Sequence, residues 1–132
     1  MQAADILGKG FKNGTAILLA RILGNDGVAV QIADVSAIKY SAYAVNESDP
    51  NERTPVDGHD DVSLVPGEVL FDTLQKDPRW TVDNTGYNLL HQPDRDQDEI
   101  FPIAGKNVLV EYRLTPTDGG QVIVIRFKIN VI

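Results

Sequence analysis

The 132 residues of this chain include no cysteine, one methionine, one tryptophan and two histidines. Without thiols there is no disulfide, no thiolate metal ligand and no cysteine nucleophile, and cysteine usage says nothing of the redox compartment. The two imidazoles, His59 and His91, lie far apart in sequence. Neither has the close second histidine of a catalytic zinc motif, so His59, beside Asp60 and Asp61, is expected to be a surface-loop residue. Ser36, Ser41, Ser48 and Ser63 all fall outside a Gly-x-Ser-x-Gly elbow, which removes the usual hydrolase nucleophile. Basic residues are in deficit, 12 against 19 acids for a net charge of −7. Such a surface repels a phosphate backbone, so no direct nucleic-acid binding is expected. No apolar run has the length of a membrane span or the form of a signal peptide, and synthesis in the cytoplasm is the expectation.

What is present is strand pattern. From Gln121 onward Ile123, Ile125, Phe127, Ile129 and Val131 alternate with Arg126, Lys128 and Asn130, the period of a half-buried strand. Val108, Val110, Tyr112 and Leu114 alternate in the same way with Asn107, Glu111 and Arg113. Between the two runs, Thr115 to Gly120 supplies the turn residues of a reversal. Upstream, a strand over 15–23 is closed by Gly24-Asn25-Asp26-Gly27 and returns over 28–32, a hairpin signal because these residues tolerate positive φ. Ala37 to Val45 is rich in β-formers, and a further strand is expected near Tyr87 to His91.

Residues 46–61 carry little apolar surface and read as a long solvated loop. Pro66 followed by Val69, Leu70, Phe71 and Leu74, with Asp77-Pro78 as a stop, predicts a helix of two or three turns, a crossover between sheets with Trp80 capping the core end. Met1 to Gly14 shows no period and reads as an extended N-terminal arm. The chain is long enough for a single core. The expectation is an all-β fold: an antiparallel immunoglobulin-like β-sandwich of about seven strands over 15–132, with one short crossover helix and the 1–14 arm.

Candidate chemistry is sparse. Asp94 to Glu99 opens like a calcium loop, but the sixth position is Glu99 where glycine is needed and the twelfth is Gly105 where glutamate is needed, which excludes an EF-hand. A looser cation site at Asp57, Asp60 or Asp61 competes with a plain acidic surface. Glu68 and Asp72 are spaced to share a helix face as a glycosidase-type pair would, although an exposed face accounts for them equally. Gly8-Lys9-Gly10 is too short for a phosphate loop. Tyr40, Tyr43, Trp80 and Tyr87 would make a sugar platform only if their rings were exposed and coplanar; core packing is the ordinary role of such residues. No cofactor is implied.

The order of elements adds one comparison. The strand carrying Arg21-Ile22-Leu23-Gly24-Asn25-Asp26-Gly27-Val28, the helix near Val69 to Leu74, and Phe101-Pro102-Ile103-Ala104-Gly105 leading into paired strands resemble the immunoglobulin-like modules of tailed-phage structural proteins, of the baseplate upper-protein N-terminal type. That resemblance implies a non-enzymatic virion component, such as a capsid decoration, head-tail accessory or baseplate subunit. Its partners would be other virion subunits and further copies of itself. Assembly would run through the arm (Ile6, Leu7, Phe11) and a sheet edge ending in Val131 and Ile132. The alternative is a carbohydrate-binding or adhesin-like module using exposed rings.

Overall fold

The computed structural model of the chain describes residues 5–10, 17–24, 27–46, 49–56, 58–78, 80, 84–92 and 107–131. Nine strands are present among them: β1 (Asp5–Gly10), β2 (Leu18–Ala20), β3 (Val35–Asn46), β4 (Asp49–Pro55), β5 (Val62–Leu64), β6 (Leu70–Gln75), β7 (Tyr87–His91), β8 (Asn107–Pro116) and β9 (Ile123–Val131). One α-helical turn, α1 (Pro66–Val69), and a 3₁₀ turn at Ile32–Asp34 complete the described elements.

The C-terminal alternation builds the centre. β8 and β9 pair antiparallel from Leu114 opposite Ile123 to Asn107 opposite Asn130, and β3 lies along the other side of β8, with Tyr40 opposite Tyr112. The larger sheet runs β1-β9-β8-β3-β4, with β5 also on β3; the smaller runs β2-β7-β6. Every pairing is antiparallel except β1 with β9. Alternate residues of β8 (Val108, Val110, Tyr112, Leu114) and of β9 (Ile123, Phe127, Ile129) join Ile38, Tyr40 and Ala42 in one core cluster with Leu18, Ala20, Leu70 and Leu89 of the smaller sheet. The result is the expected all-β sandwich with one short helix.

Of the hairpin expected from 15–23 into 28–32, the described residues form the strand β2 at Leu18–Ala20 and a single bridge, Leu23 with Ala29, and no return strand over 28–32. The fastening of this bridge comes from elsewhere. Asn88, fully buried on β7, accepts from the Ile22 amide at 2.7 Å and donates to the carbonyls of Ile22 and Val30, both at 3.0 Å. One side chain thus bonds three backbone groups, of which the Ile22 carbonyl also accepts from the Val30 amide.

Three expectations are corrected. The helix is one turn: Pro66 does open it, but Leu70–Gln75 is strand β6. A short isolated helix is marginal, and the segment gains more by pairing with β7 and burying Leu70 opposite Leu89. Its crossover role survives, since α1 connects β5 of one sheet to β6 of the other. Residues 46–61 are not a solvated loop. Asp49–Pro55 pairs with β3 as an edge strand, and Val56 and His59 are buried. Polar composition misleads there because an edge strand with one exposed face needs little apolar surface. Finally, Asp5–Gly10 of the arm is extended but belongs to the larger sheet, parallel to β9. Backbone hydrogen bonds hold it there, a force that leaves no side-chain period to read.

Candidate functional site

Two local structures concentrate what chemistry the chain has, and both histidines belong to one of them. Val56 and His59 lie between β4 and β5 on the flank of β3: the Val56 amide donates to the Ala42 carbonyl and the Ala42 amide to the His59 carbonyl. This clamp tucks His59 fully inside, where its Nδ1 lies 2.7 Å from the Tyr40 hydroxyl. From the opposite sheet, His91 at the end of β7 places Nδ1 2.6 Å from the Tyr112 hydroxyl. The four rings interlock. His91 meets Tyr40 edge-on at 4.9 Å and Tyr112 at 5.6 Å, Tyr40 lies 5.7 Å from Tyr112, and Phe127 closes the stack on Tyr112.

The electrostatics fit a neutral pair at His91 and Tyr112. Burial, and secondarily the charge of His59, lowers the His91 pKa to about 4. Burial, and secondarily Tyr40, raises Tyr112 well above the ordinary phenol value. Tyr112 therefore keeps its proton and His91 stays neutral, so the contact is a hydrogen bond between uncharged groups. The bond joins the two sheets by a polar contact inside an aromatic cluster. Sequence distance had separated His59 from His91, and the surface-loop expectation for His59 is overturned: the sandwich brings both rings against Tyr40. The sequence offered no signal for their meeting beyond the scarcity of the residue.

The second structure is the margin of the larger sheet. Ile6, Leu7 and Val131 lie there: Ile6 opposite Phe127, Leu7 opposite Lys128 and Val131 opposite Gly10. Phe11 and Ile132 lie outside the described residues. At the other margin β4 carries Pro50 and Pro55, with Glu52, Arg53 and Thr54 exposed. Arg53 is stacked 4.3 Å over the Tyr43 ring.

The remaining candidates are dispersed. Asp60 and Asp61 are exposed, and Asp57 and Asp94 to Glu99 lie outside the described residues. Asp61 is tied to Arg113 at 2.9 Å and to Lys39 at 3.5 Å, and Ser41 accepts from the Asp61 amide. Asp72 sits on a strand, accepting from the Ile32 amide at 2.8 Å, so no helix face pairs it with Glu68. Tyr40 and Tyr87 are buried, and Trp80 packs 5.8 Å from Tyr87, so the four rings do not form one exposed platform. Among the described residues no three His, Asp or Glu side chains group as metal ligands, and no helix is long and apolar enough to cross a membrane. A groove of about 400 Å³ opens at one end of the sandwich, between Val28 to Val30 and Pro116 to Gln121.

Comparison with protein-family models, with curated proteins and with solved structures returns no match.

Proposed function

We propose that this chain is a non-enzymatic structural subunit, an immunoglobulin-like sandwich held by neighbouring subunits through its N-terminal segment and the sheet edge that segment covers. The particle it joins is a tailed-phage virion or a phage-like assembly, and its partners are other virion subunits and copies of itself.

The observation that carries this reading is the asymmetry of the two margins of the larger sheet. β4 bears two prolines, which cannot donate to a further strand, and exposed charged residues, the devices by which proteins blunt an edge against association. β9 bears neither proline nor glycine along Ile123–Val131 and is covered by a segment contributed from the distant N-terminus. One margin is closed to partners, and the other is built for strand addition. The imidazoles support the non-enzymatic part: His59 is sealed in the core and His91 is committed to Tyr112. The phage part rests on the order of strand, Asp-Gly turn and final hairpin.

Deleting Met1 to Gly14 tests the reading. The truncated chain is expected to keep its far-ultraviolet β signature and to sediment as a smaller species than the full chain. Retention of the full-length oligomer by a folded truncation overturns the assembly role of the segment.

A further inference from the structure

We infer that β1 is an exchanged strand: the β9 edge of one copy is covered by Asp5–Gly10 of a second copy, in the same parallel register seen within the chain. This rests on the assembly reading above and specifies its contact. Three features lead to it. First, β1 lies at the end of its sheet with β9 as its neighbouring strand, so it can leave without parting any other strand pair. Second, the tie is a single ladder of six residues. The ladder is parallel, and two of its six residues, Gly8 and Gly10, bring no side chain to it. Third, β9 can receive a strand along its whole length, since Ile123–Val131 carries no proline to block the pairing.

Exchange resolves these together. The pairs Asp5 with Arg126, Ile6 with Phe127 and Lys9 with Asn130 are the same whether the strand comes from its own chain or from a neighbour, so concentration decides between them. The occupant is a second copy because the complementary strand is encoded in this sequence, and the opposite margin, with Pro50 and Pro55, turns a stray strand away. A ring or filament of copies, each donating one strand, follows if every copy both gives and receives.

The absence of cysteine makes the test clean. The full-length variants Lys9→Cys and Asn130→Cys, one of them tagged, are mixed under native conditions and oxidised, and the disulfide-linked species are separated without reductant. Residues directly opposite on neighbouring strands lie within disulfide reach, whereas a partner four positions along does not, so Lys9→Cys with Asn130→Cys is expected to give about tenfold more mixed dimer than Asp5→Cys with Asn130→Cys. Equal yields from the two mixtures overturn the exchange. So does a Lys9→Cys, Asn130→Cys double variant that closes only within its own chain at every concentration. Sedimentation of the unmodified protein separates the two ideas: an oligomer without in-register trapping defeats the exchange and leaves the assembly reading standing, while a monomer at all concentrations defeats both.

Discussion

Mild acid should loosen this sandwich through a single histidine. His91 has its Nδ1 2.6 Å from the Tyr112 hydroxyl in a largely apolar setting, and burial first, then the charge of His59, holds its pKa at about 4 against the ordinary 6.5. The unfolded chain takes up this proton near pH 6.5, and the folded chain only near pH 4. Over that interval the unfolded state binds more protons, so stability is full above pH 6.5, falls as pH falls, and loses nothing further from His91 below pH 4. At about 1.4 kcal/mol per pH unit the whole interval corresponds to roughly 3 kcal/mol, and about 2 once the partial solvent exposure of the ring is allowed for. In a domain of this size that is a fall of about 5–10 °C in Tm. Thermal unfolding followed by circular dichroism from pH 7.5 to 4.5 measures it, with His91→Gln as the reference, since the glutamine amide can still hydrogen-bond the Tyr112 hydroxyl without titrating. Titration of the carboxylates is common to both proteins and cancels. The wild-type advantage at pH 7.5 should shrink steadily toward pH 4.5; parallel curves would refute the assignment of the acid sensitivity to His91.

Other perturbations read other parts of the fold. Asn88→Ala removes three buried hydrogen bonds and takes their side-chain partner from the Ile22 amide and the Val30 carbonyl, while the Ile22 carbonyl keeps the Val30 amide; this should cost about 3 kcal/mol in chemical denaturation and speed amide exchange at Ile22. Gly86→Ala should cost at least about 2 kcal/mol, because φ is 107° and the new methyl would run into the Gln75 backbone carbonyl; an unchanged denaturation midpoint would contradict that geometry. Asp61 has φ of 54°, so Asp61→Val should lose about 1–2 kcal/mol and Asp61→Asn under about 1, the exposed pairs with Arg113 and Lys39 contributing little.

Legibility followed the kind of force at work. Val108, Val110, Tyr112 and Leu114 were readable as a buried face because alternation is a local consequence of burying one side of a strand, and all four are buried. The 70–75 segment was misread because Val69, Leu70 and Leu74 fit a helical stripe, while its strand state depends on β7, 12 or more residues downstream along the paired positions. Residues 49–55 were misread because prolines and charges mark both loops and protected edges. The candidate site was less legible still. Ile6, Leu7 and Val131 reach one margin of the sheet, but the sequence held no sign that they lie against the same strand pair, and the meeting of His59 with His91 had no sequence signal beyond the scarcity of the residue.

The sequence by itself determined the all-β character, the final hairpin and the faces of its two strands, and the exclusion of thiol chemistry, because each follows from residue type and spacing within a few positions. Only the tertiary structure decided that a polar stretch becomes an edge strand, that the N-terminal segment closes the opposite margin beside β9, and that two histidines meet around Tyr40. Those outcomes depend on backbone hydrogen bonds and ring contacts between segments up to about 120 residues apart, and a contact of that range leaves no period in either segment that makes it.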